Sequence, residues 1–154
     1  MSLDIKMVYA PKRYFTGLTP RERAQRLRRM REGTLRNSSD PRAYRPFPTD
    51  RGKKVRKSRY TLKFERLYPG ASSLEQKARA TGVPHNIIKK VYNKGLAAWR
   101  TGHRPGASQQ AWGYARVHSF LTRGKTFYTT DAHLVREAIT RMKPQNIKKW
   151  SNVK

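Results

Sequence analysis

The sequence predicts a mainly α-helical protein that combines a small helical domain with a long, extended, basic N-terminal arm and a short C-terminal tail. Three observations predict this fold class. Helix-capping signals recur through the second half of the chain, three prolines interrupt residues 37–58, and Lys and Arg are frequent throughout. We expect the arm to cover residues 1–57, the helical domain residues 58–143 and the basic tail residues 144–154. Within the domain we expect a helix-turn-helix-like hairpin.

The net charge limits what the chain can do. It holds 36 Lys and Arg against 9 Asp and Glu in 154 residues, a formal charge of +27. Charges at this density repel one another, so a compact state at physiological salt requires a polyanionic partner or strong screening. Nucleic acid is the first candidate, because neutralising phosphates releases counterions, and acidic protein surfaces in a large assembly are the second. This charge argues against an enzyme that acts on a small neutral substrate.

Composition narrows the class further. Apolar residues make up only 36% of the chain, so a core is expected for only part of it. The absence of cysteine excludes a disulfide framework and a thiolate zinc site. No apolar run approaches the length of a membrane span or of a signal sequence, so we expect neither.

The arm carries one predicted helix, over about residues 20–32. Thr19–Glu22 forms a capping box with proline at the first helical position, and Gly33 is placed to end the helix. Arginine occupies nearly every second position, and Arg26 and Arg29 are candidate phosphate contacts. The alternative is a solvated basic helix that docks through three small apolar contacts.

The rest of the arm is expected to be disordered or held extended by a partner. Prolines between Pro41 and Pro48 break periodic structure, and loops of this length are uncommon inside compact domains. Candidate polyanion contacts here are Lys53, Lys54, Arg56 and Lys57. Candidate anchors for protein partners in the arm and tail are Tyr14, Phe15, Tyr44, Phe47 and Trp150.

Residues 58–143 are predicted to be helical throughout, apart from an ambiguous first segment. Residues 58–67 fit a helix or a strand. Further helices are expected from a capping box at Ser72–Glu75 to Gly82, from Pro84 to Gly95, from Gln109 to Thr122 behind Ser108, and from Asp131 to the residues before Pro144.

The two helices on either side of Gly82 show the spacing of a DNA-binding hairpin. Ala78, Gly82 and Ile88 form the pattern Ala-x3-Gly-x5-Ile, which resembles helix-turn-helix proteins. In that interpretation the second helix presents Asn and Lys side chains suited to base edges and phosphates. Its candidate contacts are His85, Asn86, Lys89, Lys90, Asn93 and Lys94. The alternative is a plain helical hairpin with solvated lysines.

The block between Trp99 and Arg116 holds the highest density of candidate binding residues. Two glycines and a proline fix an unusual loop, and Arg100, His103, Arg104 and Arg116 are expected to converge near it. Arginine can bind phosphate with two hydrogen bonds or stack on bases. In the alternative interpretation, which we favour for the tryptophans, they fill a small core and the arginines neutralise helix C-termini.

A family resemblance is carried by the block Lys90–Arg116, followed by Ser119-Phe120, Gly124-Lys-Thr126 and Thr130-Asp131. These motifs resemble a small basic family of large algal DNA viruses, of the chlorella-virus type, and of marine phages. The resemblance runs from about residue 16 to residue 134. It brings no catalytic residues, because the family has no characterised function. It implies a viral protein of the particle, since small basic tailed proteins are common among minor capsid components.

The sequence contains no complete motif for an enzyme active site. The four histidines lie 15 to 18 residues apart without neighbouring carboxylates, so no metal-ligand spacing is present. No carboxylates are paired for acid–base or two-metal work. Gly124-Lys-Thr126 matches the end of a P-loop, but Ser119 stands where its first glycine is needed. We predict no enzyme activity, no metal and no cofactor.

The sequence therefore favours a non-enzymatic minor capsid protein of a large DNA virus. Its basic arms would staple neighbouring capsid proteins, with the double-stranded DNA genome as a further partner and without a membrane span or a small-molecule substrate. The expected location is the virion, after synthesis in the host cytoplasm or nucleus. The alternative is a helix-turn-helix DNA-binding protein for viral gene regulation or genome condensation. A ribosome-associated basic protein is a third option, against which the viral resemblance argues.

Overall fold

The computed structural model describes residues 8–154, and these residues form helices and no strand. The α-helices are α1 (Pro20–Leu35), α2 (Arg59–Leu67), α3 (Leu74–Thr81), α4 (His85–Ala98), α5 (Gln109–Leu121), α6 (Lys125–Tyr128), α7 (Ala132–Ile139) and α8 (Pro144–Ser151). Short 3₁₀ helices cover Lys12–Phe15, Pro41–Tyr44, Pro48–Asp50 and Trp99–Thr101. The mainly α prediction is thus confirmed for the described chain. None of these helices is long and apolar enough to cross a membrane.

The chain folds as two compact units, each made of two segments. The first unit joins the N-terminal residues through Arg56 to Leu96–Trp112, and the second joins Lys57–Gly95 to Gly113–Lys154. The divisions predicted from the sequence lie after residue 57 and after residue 143. The structure differs in grouping the tryptophan-containing loop with the N-terminal segment and the C-terminal tail with the helical unit.

Helix α1 begins at the predicted capping box. The Thr19 hydroxyl accepts a hydrogen bond from the Glu22 amide, and the Glu22 carboxylate accepts one from the Thr19 amide, both at 3.1 Å. The helix does not end at Gly33, however, but continues to Leu35. Gly33 is buried, and a Cβ there would lie 1.8 Å from the carbonyl oxygen of Arg100. The glycine therefore allows a close backbone approach rather than terminating the helix.

The segment expected to be disordered or extended is folded onto α1. Pro41 and Pro48 each begin a 3₁₀ helix, because proline suits the first position of a helical turn. The core of the first unit consists of Tyr14, Met30, Phe47 and Trp99. Phe15 and Tyr44 pack against it as partly buried residues. Four of the five predicted partner anchors thus contribute to the protein's own first core.

The second unit has the larger core, which α2, α4, α5, α7 and α8 form with the Val83 side chain. Its largest buried side chains include Phe64, Ile88, Phe120 and Trp150. The ambiguous segment 58–67 is a helix with Phe64 facing this core. The second capping box is formed by Ser73 and Gln76, one residue later than predicted.

Helix α8 was not foreseen, because the tail was expected to extend away from the domain. It starts with Pro144 and buries Trp150, which is 2% exposed. The indole Nε1 donates to the carbonyl oxygen of Leu121 at 3.1 Å. The fifth predicted anchor, Trp150, therefore also lies in the protein's own core.

Candidate polyanion-binding cleft

The second unit carries an open cleft of about 690 Å³ between α2 and the loop that follows α5. We call it the basic cleft. It is lined by Arg59, Tyr60, Lys63, Arg66, Thr122, Arg123, Gly124, Lys125 and Tyr128. Five of these nine residues are cations and none is acidic. The α2 cations occupy positions i, i+4 and i+7, which places them along one side of a helix.

The cations of the basic cleft are left without acidic partners in the described part of the chain. None of the five forms an ion pair with a carboxylate of residues 8–154. Two carboxylates of this unit bind other cations instead: Glu65 pairs with Lys57 at 2.9 Å, and Glu137 pairs with Lys90 at 2.8 Å. Five uncompensated positive charges around one concavity create a positive potential that attracts anions.

Tyr60 forms a fixed wall of the cleft. Its hydroxyl accepts hydrogen bonds from the Arg59 guanidinium at 3.2 Å and from the Lys125 amide at 3.3 Å. Partial burial would raise the pKa of Tyr60, but these hydrogen bonds and the nearby positive charges outweigh it, so the pKa lies below its ordinary value. A Cβ at Gly124 would come within 2.4 Å of the Tyr60 ring, so only glycine permits this packing.

The loop after α5 is locked to that helix, which sets the position of the cleft residues on it. The Gly124 amide donates to the Ser119 carbonyl oxygen at 2.6 Å, and the Thr126 hydroxyl donates to the Ser119 hydroxyl at 2.8 Å. The Gly124-Lys-Thr126 sequence thus forms a turn that packs against the end of α5. It is not part of a phosphate loop between a strand and a helix. Ser119, which breaks the P-loop pattern, is the residue that anchors the turn.

Arg123 adopts a backbone conformation that few non-glycine residues take. Its φ is +58°, in the left-handed region, which costs about 1–2 kcal/mol for a residue with a side chain. Its guanidinium donates to the carbonyl oxygen of Ser151 and lies 5.5 Å from the Phe127 ring centre and 5.8 Å from that of Tyr128. These contacts hold the charge at the edge of the cleft.

Most of the predicted polyanion contacts lie outside this cleft. Arg26 is fully buried, and its guanidinium donates to the Thr49 hydroxyl at 2.7 Å, to Asp50 at 2.9 Å and to the His103 carbonyl oxygen at 2.6 Å. Arg29 donates to the carbonyl oxygens of Ala43 and Arg45. Both arginines hold the 41–50 segment on α1, and Arg26 also holds the 99–107 loop through His103. Arg26 has no surface left for a phosphate.

His103 is also buried, beside the same carboxylate. Its Nε2 lies 2.6 Å from Asp50, its Nδ1 lies 2.9 Å from the carbonyl oxygen of Trp99, and its ring stacks on the Trp99 indole at 4.4 Å. Both neighbours are hydrogen-bond acceptors, so the imidazole links the Asp50 carboxylate to the backbone of the tryptophan loop. The tryptophan is a core residue, in agreement with the favoured interpretation of this block.

Asp50 connects these groups. Burial would raise the pKa of its carboxyl, but the hydrogen bond and charge of His103, the Gly106 amide at 3.0 Å and the charge of Arg26 outweigh burial, so the pKa lies below its ordinary value. One carboxylate therefore holds α1, the Pro48–Asp50 helix and the tryptophan loop together.

The four basic residues expected to converge around that loop do not do so. Arg100 donates to the carbonyl oxygen of Ala97 at 2.8 Å, near the end of α4, as the alternative interpretation proposed. Arg104 is exposed. Arg116 belongs to the second unit, where it donates twice to Asp131, at 2.9 and 3.0 Å. Close spacing in sequence thus does not bring these cations to one place.

The predicted contacts on α4 divide into two groups. His85, Asn86, Lys89 and Asn93 are exposed. Lys90 instead pairs with Glu137, and Lys94 pairs with the buried Asp131 at 2.6 Å. Helix α3 ends at Gly82, whose φ is +78°, and Ile88 on α4 is buried.

The basic residues at positions 53–57, which follow the 3₁₀ helix Pro48–Asp50, are mostly exposed. Lys54, Arg56 and Lys57 have exposed side chains, although Lys57 binds Glu65. Lys53 lies 3.7 Å from the Glu22 carboxylate within the first unit.

A family model matches residues 11–136, a span that includes the whole basic cleft. Its description is a family of unknown function (DUF5824). The chain belongs to this family. The family description assigns no activity to its members. Comparisons with curated proteins and with solved structures found no match.

The cleft residues of this DUF5824 chain were absent from the sequence-based candidates. One signal could have found three of them: Arg59, Lys63 and Arg66 have helical spacing, but residues 58–67 fitted a strand as well. Arg123 and Lys125 flank Gly124, which contributes to the family resemblance and to a failed P-loop match but was not predicted as a binding site. Nothing local indicates that residues about 60 positions apart in the chain line the same cleft.

Proposed function

We propose that this protein is a non-enzymatic nucleic-acid-binding protein whose second unit holds a phosphate backbone in the basic cleft. The observation that carries the proposal is the set of five cations that line one concavity without an acidic partner among the described residues. Phosphate is the anion that this arrangement fits, because arginine and lysine neutralise it with charge-assisted hydrogen bonds and release its counterions.

The length of the cationic row supports a polymer rather than a single ion. Arg59 and Arg66 are seven residues apart on α2, a distance of about 10 Å at 1.5 Å per residue. Each strand of a duplex has one phosphate about every 3.4 Å along the helix axis. Several phosphates can therefore lie along the row of α2 cations. Arg123 and Lys125 supply charge from the facing loop.

The fold weakens the anchoring mechanism predicted from sequence. Tyr14, Phe47 and Trp150 are buried in the protein's own cores and cannot reach neighbouring shell proteins without unfolding. The minor capsid role stays a prediction, and a nucleic-acid-binding component of a particle agrees with it. In that case attachment to the genome, rather than extended arms, would be the main interaction.

Neutralising two exposed cleft cations tests this proposal. The side chains of Arg66 and Lys125 are exposed and form no hydrogen bond with described residues, so we expect the double variant Arg66→Gln/Lys125→Gln to keep the fold. We expect it to weaken binding of a fluorescent oligonucleotide at least tenfold in an anisotropy titration of the full chain.

The matched control changes net charge equally on the same unit. Arg136 and Lys148 are exposed and lie outside the cleft lining. The variant Arg136→Gln/Lys148→Gln should lower the affinity by less than threefold. Equal losses in the two double variants would mean that binding follows total charge and would contradict the cleft as the site.

A second candidate function is duplex DNA binding through α4, as the helix-turn-helix interpretation predicts. The observation that favours it is the exposed row of His85, Lys89 and Asn93, one helical turn apart, behind the glycine turn at Gly82. Asn and Lys side chains can read adenine and guanine edges in a major groove. The variant Lys89→Gln/Asn93→Ala should weaken duplex binding and alter sequence preference if this helix enters the groove. No change in either would exclude it.

A further inference from the structure

We infer that the basic cleft takes a single-stranded nucleic acid, with one unpaired base stacked on the Tyr128 ring and the flanking phosphates on the cleft cations. This inference rests on the proposed function and specifies which form of nucleic acid the site accepts. The observation behind it is an exposed aromatic ring, Tyr128, in the lining of the cleft that holds the five cations.

Tyr128 is an exposed ring on an anchored backbone. Its side chain is 59% exposed, whereas the preceding Phe127 packs 5.2 Å from the Trp150 ring and 6.3 Å from that of Phe120. Phe127 is partly buried against the second core and fixes the end of α6, so the tyrosine stays at the surface. A large apolar ring in this position adds little to core stability, and a planar ligand would cover it.

The charges around Tyr128 are placed for a nucleotide. The Arg123 guanidinium lies 5.8 Å from the ring centre, and Lys125 lies one helical turn before it on α6. A base on the ring would therefore have its phosphates next to both cations. Stacking of a base on an aromatic side chain beside a cationic groove is the usual way in which single strands are bound without sequence preference.

The second tyrosine limits the site to one base. Tyr60 is held by hydrogen bonds at its hydroxyl from Arg59 and Lys125, and its ring packs against Gly124. It forms the cleft wall and does not offer a free platform. The inference is thus one stacked base per cleft, with the α2 cations following the phosphates on one side.

A duplex and an acidic polypeptide fit this site less well. A base pair inside a duplex keeps its faces stacked on its neighbours, so it cannot cover Tyr128 without being unstacked. An acidic peptide would satisfy the cations, but the electron-rich face of a tyrosine ring repels carboxylates. Both remain outcomes of the test.

The test compares Tyr128→Ala with two matched variants in the full chain, by anisotropy at fixed salt. Tyr128→Phe keeps the ring, and Tyr9→Ala removes a tyrosine of similar exposure, 52%, from the first unit. The probes are a thymidine strand and a uridine strand of about 15 nucleotides, an abasic strand of the same length and a duplex; this length exceeds the few nucleotides that one small site covers.

We expect Tyr128→Ala to weaken the thymidine or uridine strand at least fivefold, the lower end of the effect of one stacked base. The abasic strand and the duplex should change less than twofold, as should every probe with the two matched variants. Comparing the thymidine with the uridine strand tells whether DNA, RNA or both are bound, and each of these results supports a single-strand site.

Three results would overturn the inference. They are an unchanged affinity of Tyr128→Ala for both single strands, an equal loss for the abasic strand, and displacement of the strands by poly-glutamate as efficient as by unlabelled oligonucleotide. Failure of the proposed function looks different. In that case Arg66→Gln/Lys125→Gln binds every probe with the same affinity as its charge-matched control. If instead Arg66→Gln/Lys125→Gln loses affinity and Tyr128→Ala does not, only the stacked base is rejected and the cleft remains the binding site.

Discussion

The two units of this protein use the same residue types in opposite ways. In the first unit Arg26 and Arg29 point inward and bind backbone and side-chain oxygens of the protein itself. In the second unit, Arg59, Arg66 and Lys125 line a cleft without acidic partners in the described chain. The net charge is nearly equal, +13 in the first unit and +14 in the second. Arginine content therefore does not indicate function; the location of the carboxylates does.

The buried histidines repeat this contrast. His103 in the first unit has an acceptor at each ring nitrogen, and one of these acceptors is the Asp50 carboxylate. His118 in the second unit is 5% exposed, and its Nδ1 lies 2.8 Å from the Thr61 hydroxyl. Its Nε2 has no partner among the described residues. Burial, followed by the charge of Lys77, lowers the pKa of His118 to about 4.

The largest expected effect comes from removing the acceptor that holds the first unit together. Asp50→Asn leaves Arg26 and His103 buried without a charge partner, which should reduce the free energy of unfolding by about 3–5 kcal/mol. Urea denaturation of the full chain, followed by tryptophan fluorescence, measures this loss. Asp40→Asn is the control, because Asp40 binds the partly exposed Arg36 and the exposed Arg42, so its replacement should lower the free energy of unfolding far less. Similar losses for the two variants would contradict the network.

The next effect is a pH dependence of stability that comes from His118. The folded state disfavours the protonated form of His118, so the unfolded chain binds the extra proton first as the pH falls. Stability should therefore fall between pH 6.5 and about 4 and level off below that for this group, by about 3 kcal/mol in total from the size of the pKa shift. Glu65 opposes the effect slightly by favouring the charged imidazole.

Two histidine variants check this prediction by thermal unfolding across the pH range. His118→Gln should abolish the loss of stability between pH 6.5 and 4, whereas the exposed His133→Gln should retain it. At lower pH a further loss is expected, because the pKa of Asp50 is depressed and its stabilising contribution disappears as pH falls through that pKa. A pH profile that is the same in His118→Gln and the parent chain would contradict a neutral His118.

A smaller effect tests the close approach inside the first unit. Gly33→Ala places a methyl group against the backbone of Arg100, which cannot move aside as a side chain would. We expect a loss of about 1–3 kcal/mol, although alanine is otherwise the better helix former by about 1 kcal/mol. Gln25→Ala on the exposed side of α1 should be neutral or stabilising. A more stable Gly33→Ala variant in a thermal melt would contradict the close contact.

Local signals predicted the helices well and the long-range contacts poorly. The capping box at Thr19 and the cap at Ser108 appear where the sequence places them, because each depends on residues three positions apart. The pairing of Asp50 with Arg26 and His103 joins residues 24 and 53 positions apart, and no spacing rule encodes it. Proline was interpreted as a breaker of structure between residues 41 and 48, yet it also starts 3₁₀ helices.

The candidate site shows the same limit. The cations of α2 could have been found if residues 58–67 had been assigned as a helix, since their spacing then puts them on one side. Their meeting with Arg123 and Lys125 depends on how α5 packs in the second unit, which the sequence does not reveal. Arg26 and His103 were predicted as polyanion contacts but are buried, for a related reason. In a sequence with many basic residues, the few that pair with a buried acid cannot be told apart from those that face solvent.

The salt dependence of binding tests the central claim most directly. The logarithm of the affinity for an oligonucleotide should fall linearly with the logarithm of salt concentration, and each phosphate contact contributes about 0.7–0.9 to the slope. Arg66→Gln/Lys125→Gln should reduce the slope by about 1.4–1.8 relative to the parent chain, while Arg136→Gln/Lys148→Gln leaves it unchanged. The same slope in the parent chain and the cleft variant would show that the phosphates lie elsewhere, and would contradict the basic cleft as the nucleic-acid site.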